Sequence, residues 1–315
     1  MSKEVRGTIY VLIAGIAWGL SGTCGQYLMS QGIAPLVLTN VRILIAGLVL
    51  SLMAYGASRE QLMMVSKNPK ILGQIFIFAL IGLILNQFAY LKAIHETNAG
   101  TATVLQYVCP VLVLAYSCLK DRVAPTLLEV GAISLAMVGT LLIATHGDLT
   151  ALAVTPSGLF WGLFSAVTYA VYIILPVQLI RQYGSLIVIG LGMMMGGVLL
   201  APLSGLLTLS WTFSFPVLGA LVGIIGVGTI FSYTVFLKGT TLIGPVKSSL
   251  LASIEPVSAV FFAFWLMQEH FYALDLVGMF LILLAVVLIS IKDLMKKKGN
   301  VGHCTQKLGH KKNTL

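Results

Sequence analysis

Charge is what this chain has least of. Asp, Glu, Lys and Arg together make up 9% of its 315 residues, where a soluble domain carries about 25%. So few charges do not solvate a globule of this size, which excludes a soluble enzyme, a disordered chain and a coiled coil. The gaps between charges are as telling as their number. Residues 7–41 contain none, and residues 182–237 contain none, interrupted only by a polar turn near Ser210–Pro216. A bilayer core of about 30 Å takes about 20 helical residues, so the longer gap holds two spans. The shorter one holds a span and most of a second. Ten-residue alternation of the outer-membrane barrel kind is missing, so the spans read as helices.

Other absences narrow the function. The four cysteines, Cys24, Cys109, Cys118 and Cys304, lie in apolar stretches or the basic tail with no paired spacing, which argues against a disulfide framework or a zinc site. No P-loop, glycine-rich nucleotide loop or nucleophile triad occurs in a usable context. ATP-driven pumping and integral-membrane catalysis are disfavoured, and no cofactor or metal is expected. Met1–Arg6 before an apolar run resembles a signal peptide, but the run has no small-x-small cleavage site and more spans follow. Leu20–Cys24 is likewise a poor lipoprotein box.

What remains is 58% apolar, with a mean hydropathy of +0.99. Hydropathy and helix breakers predict ten transmembrane helices near 7–29, 34–55, 71–93, 98–118, 125–145, 156–180, 185–207, 216–238, 244–267 and 273–292. Pro35, Pro125, Pro156 and Pro216 stand at or near helix starts, where a missing N–H costs little. With the N-terminus inside, 17 of the 19 Lys and Arg residues fall on the cytoplasmic side; Lys92 and Arg42 are the others. That asymmetry puts both termini in the cytoplasm. It also assigns the net charge of +9 to contact with an anionic leaflet of the lipid bilayer rather than with nucleic acid.

The halves repeat. A shift of 146 residues lays Leu91-Lys92 on Leu237-Lys238 and Pro110-Val111 on Pro256-Val257, and a shift of 151 lays Gly7 and Trp18 on Gly158 and Tyr169. The expected fold is an all-α integral membrane protein of two five-helix repeats, 7–145 and 156–292, followed by a basic tail, 293–315. Five is odd, so the second repeat enters the membrane inverted. Inverted repeats are a transporter architecture with a site near the midplane at the repeat interface.

An ionisable group inside the membrane is a functional candidate by default. One acid lies deep in a span: Glu255, next to Pro256, with Ser248, Ser249 and Ser253 around it. Two readings stand. Glu255 is a proton-coupling or cation-contacting carboxylate, or it is a structural acid that caps backbone groups freed by Pro256 or pairs with Lys247 or Lys238. Asn86, Gln87, Tyr90, Gln106, Tyr107, Ser232 and Tyr233, with Trp18, Gln26, Tyr169 and Tyr172, supply amides and aromatics at central depth. Such a lining suits a zwitterionic or amphipathic solute, and the rings suit an ammonium. Interhelical hydrogen bonding is the alternative use of each. Arg42 is expected to serve the fold, snorkelling or pairing near the outer face. Trp211 and Trp265 read as belt residues, and the twelve methionines as packing. A metal at Thr145–Asp148 is disfavoured, and His303, Cys304 and His310 read as solvated tail. No small-xxx-small face stands out among the 32 glycines, leaving a monomer or a weak homodimer.

Gly7 through Trp18-Gly19, Pro35 with Arg42, Ser249-Leu250-Leu251 to Glu255-Pro256, Glu269 and Gly278 together resemble the EamA-type members of the drug/metabolite transporter superfamily. The stretches Trp18–Gly22 and Thr101–Gln106 are similar to those of a bacterial inner-membrane subgroup. The resemblance covers about 7–292. It implies ten helices with both termini inside and a cavity built by the first, third, fourth, sixth, eighth and ninth. It also implies export of amino acids or related metabolites, or efflux of amphipathic cations. Pro110, Pro256 and Glu269 are expected to serve the fold. The repeats differ where Cys109-Pro110 faces Glu255-Pro256 and where Asp121-Arg122 faces Glu269-His270. Paired acids across the pseudo-symmetry are therefore not available. The leading expectation is alternating-access export of a small organic metabolite, with the proton as a possible coupling ion. Cationic-drug efflux and a non-transporting scaffold are the alternatives.

Overall fold

The computed structural model describes residues 2–145, 155–206 and 214–268, together with short pieces between 272 and 288. Within them it is all helical. Eight helical stretches are long and apolar enough to cross a membrane, and α7 (Leu127–Thr145) adds a further apolar helix. The tenth expected helix lies largely outside the described residues, as do Glu269, His146–Asp148, Trp211 and the 293–315 tail.

Helix starts follow local chemistry. Ser2 caps α1 (Lys3–Ser30) by accepting from the Val5 N–H at 3.2 Å. Thr155 caps α8 (Pro156–Ile174) by accepting from Gly158 at 3.0 Å. Both are side-chain oxygens meeting orphan first-turn donors. Proline at the first turn marks α2 (Pro35–Lys67), α3 (Pro69–Ile77) and α8. The second span runs further than expected, to Lys67 instead of 55, with a kink at Ser58. The sixth span is bent at Leu175-Pro176, before α9 (Val177–Tyr183), because Pro176 has no N–H to continue the ladder. Gly184, at a positive φ of 82°, then turns the chain into α10 (Ser185–Ser204).

Four spans depart from simple helices, in two matched pairs. The third span is α3, a π-helical segment Phe78–Leu85, and α4 (Asn86–Glu96). The eighth is α11 (Phe215–Leu221), a π-helical segment Val222–Phe231, and α12 (Ser232–Ile243). The fourth is broken at Tyr107-Val108 between α5 (Ala99–Gln106) and α6 (Cys109–Asp121). The ninth is broken at Ala252-Ser253 between α13 (Pro245–Leu251) and α14 (Ile254–Met267). The breaks correct the expectation of continuous helices there. Each precedes a proline, Pro110 or Pro256, whose missing N–H ends the ladder. The 146-residue shift maps Asn86 onto Ser232 and the Tyr107 break onto the Ser253 break, so the irregularities share the repeat.

Glycines let the long helices touch. A Cβ on Gly47 of α2 would sit 2.6 Å from the Met193 carbonyl carbon of α10. One on Gly197 would sit 2.7 Å from Leu44 Cα, and one on Gly190 2.9 Å from the Ser51 nitrogen. Small residues allowing backbone approach are how helices pack in lipid, where no hydrophobic drive separates helix from tail. These glycines are used inside the chain, between α2 and α10. Across the molecule Gly19 of α1 does the same against α14, where its Cβ would meet Ser258 Cβ at 2.6 Å.

Candidate functional site

The matched irregularities converge. Each π-helical segment hands over to an α-helix at a polar pair, Asn86-Gln87 in one repeat and Ser232-Tyr233 in the other. A π-turn leaves carbonyls for bonds five residues on, and side chains take them. Thr229 donates to Ile224 O and Ser232 to Val227 O, each at 2.7 Å. Ser232 is thereby spent on its own backbone and does not face the centre. π-Segments recur at functional sites because they re-aim side chains, and here they aim Asn86, Gln87 and Tyr233 inward.

Trp18, Ser21, Arg42, Asn86, Gln87, Tyr90, Gln106, Tyr169, Tyr233 and Glu255 surround one small central cavity. Both repeats contribute. The space left for the centre of a water-sized molecule is about 20 Å³, close to the room one ordered water needs. This conformation is therefore nearly closed at its centre. A second, larger hollow of about 600 Å³ opens among α6, α7, α9 and α13, where Lys120, Arg181, Lys247 and Glu129 line it.

Glu255 is 3% exposed, in the first turn of α14. The Tyr107 hydroxyl is 3.2 Å from its Oε2 and also donates to the Ala252 carbonyl. That carbonyl is the one Pro256 leaves without its helical donor, and the Glu255 N–H also reaches it, at 2.8 Å. A side chain from one repeat thus heals the break in the other. The sequence reading offered Glu255 a lysine partner, and the structure gives none. Lys247 pairs with Glu4 at 2.9 Å instead. Ser248 and Ser249 likewise donate to backbone, to Gly244 O and Val246 O at 2.8 Å. Removing the hydroxyl in Tyr107→Phe should lower stability by about 1–2 kcal/mol, because the buried Glu255 Oε2 loses its donor and the Ala252 carbonyl keeps only the Glu255 N–H. A thermal melt of the purified protein checks it.

The aromatic side is packed on Trp18. Tyr233 meets its ring edge-on at 5.4 Å, Tyr169 at 6.0 Å, and Phe236 lies at 4.7 Å. Tyr172 stands behind this group, 6.3 Å from Trp18, and does not line the cavity. Ser253 is buried in the break and also stays outside the lining. On the amide side, Asn86 Oδ1 lies 3.5 Å from Gln106 Nε2 and 3.4 Å from the Thr168 hydroxyl. Tyr90 exchanges a 2.7 Å hydrogen bond with Thr103, reaching past Gly22, where a Cβ would stand 2.6 Å from its hydroxyl.

Two lining residues went unassigned by the sequence. Ser21 is one turn beyond Trp18, a spacing that puts both on one helix face. Arg42 is the larger correction. It does not snorkel to the outer face: it is 3% exposed and borders the cavity. Its Nε donates to Thr229 at 2.5 Å and its Nη2 to the Gly228 carbonyl at 3.2 Å. Both acceptors belong to the π-helical segment of the other repeat, so α2 can bind its own guanidinium inward.

Polar atoms around this cavity are left without protein partners. The indole nitrogen of Trp18 and the hydroxyls of Ser21 and Tyr169 are buried without a hydrogen-bond partner among the described residues, and the buried Gln87 amide lies beside Tyr233. Buried polar groups are almost always satisfied, and leaving one bare costs about 1–3 kcal/mol. These are the groups around the cavity that are available to a bound solute.

Comparison with known proteins agrees with this architecture. The chain is 36% identical over 292 residues to an uncharacterized inner membrane transporter, YicL, of Salmonella typhimurium, covering 92% of this chain and 97% of that one. It is 25% identical over 305 residues to an uncharacterized transporter, YwfM, of Bacillus subtilis, covering 95% and 99%. One solved crystal structure superposes with a TM-score of 0.65 at 17% identity, over 92% of this chain and 96% of that one, a likeness of fold. The family model for EamA-like transporters matches residues 5–145 and 156–291. Two matches of that extent, on a helical membrane architecture with paired irregularities, place the chain in the EamA-like transporter family.

Proposed function

We propose that this membrane transporter is a secondary exporter of a small organic metabolite, an amino acid or a close relative, in a bacterial inner membrane. The observation that carries the reading is the polar lining of the central cavity, where Trp18, Ser21 and Tyr169 have buried polar atoms without a partner among the described residues and Gln87 adds an amide. A solute with hydrogen-bonding groups at both ends satisfies them; an apolar solute does not. Two features of the layout support alternating access. Tyr107 and Glu255 tie one repeat to the other at the centre, while Lys120, Arg181 and Lys247 line a separate hollow. The charge asymmetry of the loops puts those residues on the cytoplasmic side, from which an exporter loads. In this mechanism the two five-helix repeats rock about the central site, and Glu255 tunes affinity for solute or proton.

Efflux of cationic drugs is the competing use of the same cavity, favoured by the rings around Trp18 and by Glu255. A guanidinium bordering the same space opposes it. Overproduction in a bacterial host separates the two. Amino acids should accumulate in the medium faster than in cells carrying the empty vector, with no gain in tolerance to quaternary ammonium compounds. Gained tolerance without amino-acid release would overturn the proposal.

A further inference from the structure

Arg42 is a permanent cation with no ion-pair partner among the described residues. A guanidinium carries five N–H donors in a rigid fork. Here Nε serves Thr229 and one Nη2 hydrogen serves Gly228 O, both neutral acceptors. Nη1 makes no hydrogen bond to any described residue, and no carboxylate lies within ion-pair distance of the group, although it is 3% exposed. The nearest aromatic ring, Tyr233, is 5.8 Å from Cζ and supplies only a quadrupole. Glu255 borders the same cavity, close enough to feel the guanidinium charge but outside ion-pair distance, and its Oε2 lies 3.2 Å from the Tyr107 hydroxyl.

A buried charge is costly unless it is paired. Arg42 borders the central cavity, the candidate substrate site. Thr229 and Gly228 hold the guanidinium through Nε and Nη2, leaving Nη1 without a hydrogen bond to a described residue. That geometry presents donors to a planar anion, and a carboxylate is the small organic anion whose two oxygens match a guanidinium edge.

We propose that Arg42 is the anion-recognising residue of the site and that the carried solute bears a carboxylate seated on it. The inference rests on the central cavity being the substrate site. With Glu255 also in its lining, the cavity presents one positive and one negative group, which a zwitterion can engage together.

The test uses the purified full-length protein in lipid nanodiscs and equilibrium binding of matched probes. These are the proteinogenic L-amino acids, each set beside the amine that results from removing its carboxylate. The wild type should bind at least one amino acid about 10–100-fold more tightly than its amine, the worth of one charge-assisted hydrogen-bond set. In Arg42→Gln that preference should collapse to near unity, and Arg42→Lys should restore part of it. The comparison within the wild type stands even where Arg42→Gln fails to fold. Equal binding of acid and amine by the wild type, or a preference that survives Arg42→Gln, would overturn the role of Arg42 and leave the transporter reading intact. Folded wild type that binds neither series would sink both.

Discussion

Leucine in place of Gly47 should leave little folded protein in the membrane. The α2–α10 contact is backbone against backbone, with room for a hydrogen and nothing more: a Cβ at Gly47 would already stand 2.6 Å from Met193 C and 2.8 Å from Met194 Cα. Those neighbours are main-chain atoms and cannot swing aside as a side chain can. An isobutyl group therefore has to push the helices apart. That strips the packing at Gly190 and Gly197, and with it the position of Arg42 five residues before Gly47. Overpacking a core costs about 1–3 kcal/mol where side chains can yield; here at least about 3 kcal/mol is expected, among the large single-residue effects. Fluorescence-detected size exclusion of the solubilised protein reads the outcome. Gly56→Leu is the control, because nothing lies within 4 Å of a Cβ at that glycine, and its profile should match the wild type.

Glu255→Gln should give a transporter that folds and no longer responds to pH. The substitution keeps size and shape. The Gln side-chain oxygen can still accept from the Tyr107 hydroxyl, so the inter-repeat tie that Glu255 Oε2 makes at 3.2 Å survives. What disappears is the only acid bordering the central cavity, and with it the group able to take up or release a proton there. A structural acid predicts lower stability and an unchanged pH response. A coupling acid predicts the reverse, and transport by the variant in liposomes should be flat across the range near neutrality. Full activity with the pH response intact would show that Glu255 does not couple.

Much of the site was legible in the sequence because depth and polarity were legible. Glu255 is an acid far from any loop, and Asn86-Gln87, Gln106 and Tyr233 are polar groups in otherwise apolar runs; all five border the cavity. The 146-residue repeat predicted equivalent positions, and the structure places Asn86 and Ser232 at the ends of matching π-segments. Arg42 was misplaced for a physical reason. It lies seven residues beyond Pro35, about 10 Å along a helix, and side chains lean toward the helix N-terminus, so an outward snorkel satisfied every local rule. Its actual partners, Thr229 and the Gly228 carbonyl, are nearly 190 residues away, in a segment that is π-helical. No periodicity announces a π-turn in a stretch such as Val222–Phe231, whose glycines and β-branched residues are equally at home in an α-helix. The helix breaks were half visible. Pro110 and Pro256 mark them, but that Tyr107 of one repeat would satisfy the Ala252 carbonyl of the other is a tertiary fact.

Counterflow in liposomes containing the purified protein tests the central claim most directly. Vesicles loaded with unlabelled amino acids and placed in trace labelled amino acid should show transient, saturable accumulation of at least one of them. Gln87→Ala, which removes an amide from the cavity wall, should slow that accumulation at least about tenfold. Folded protein that exchanges no amino acid, or that exchanges one at the wild-type rate after Gln87→Ala, would contradict the account.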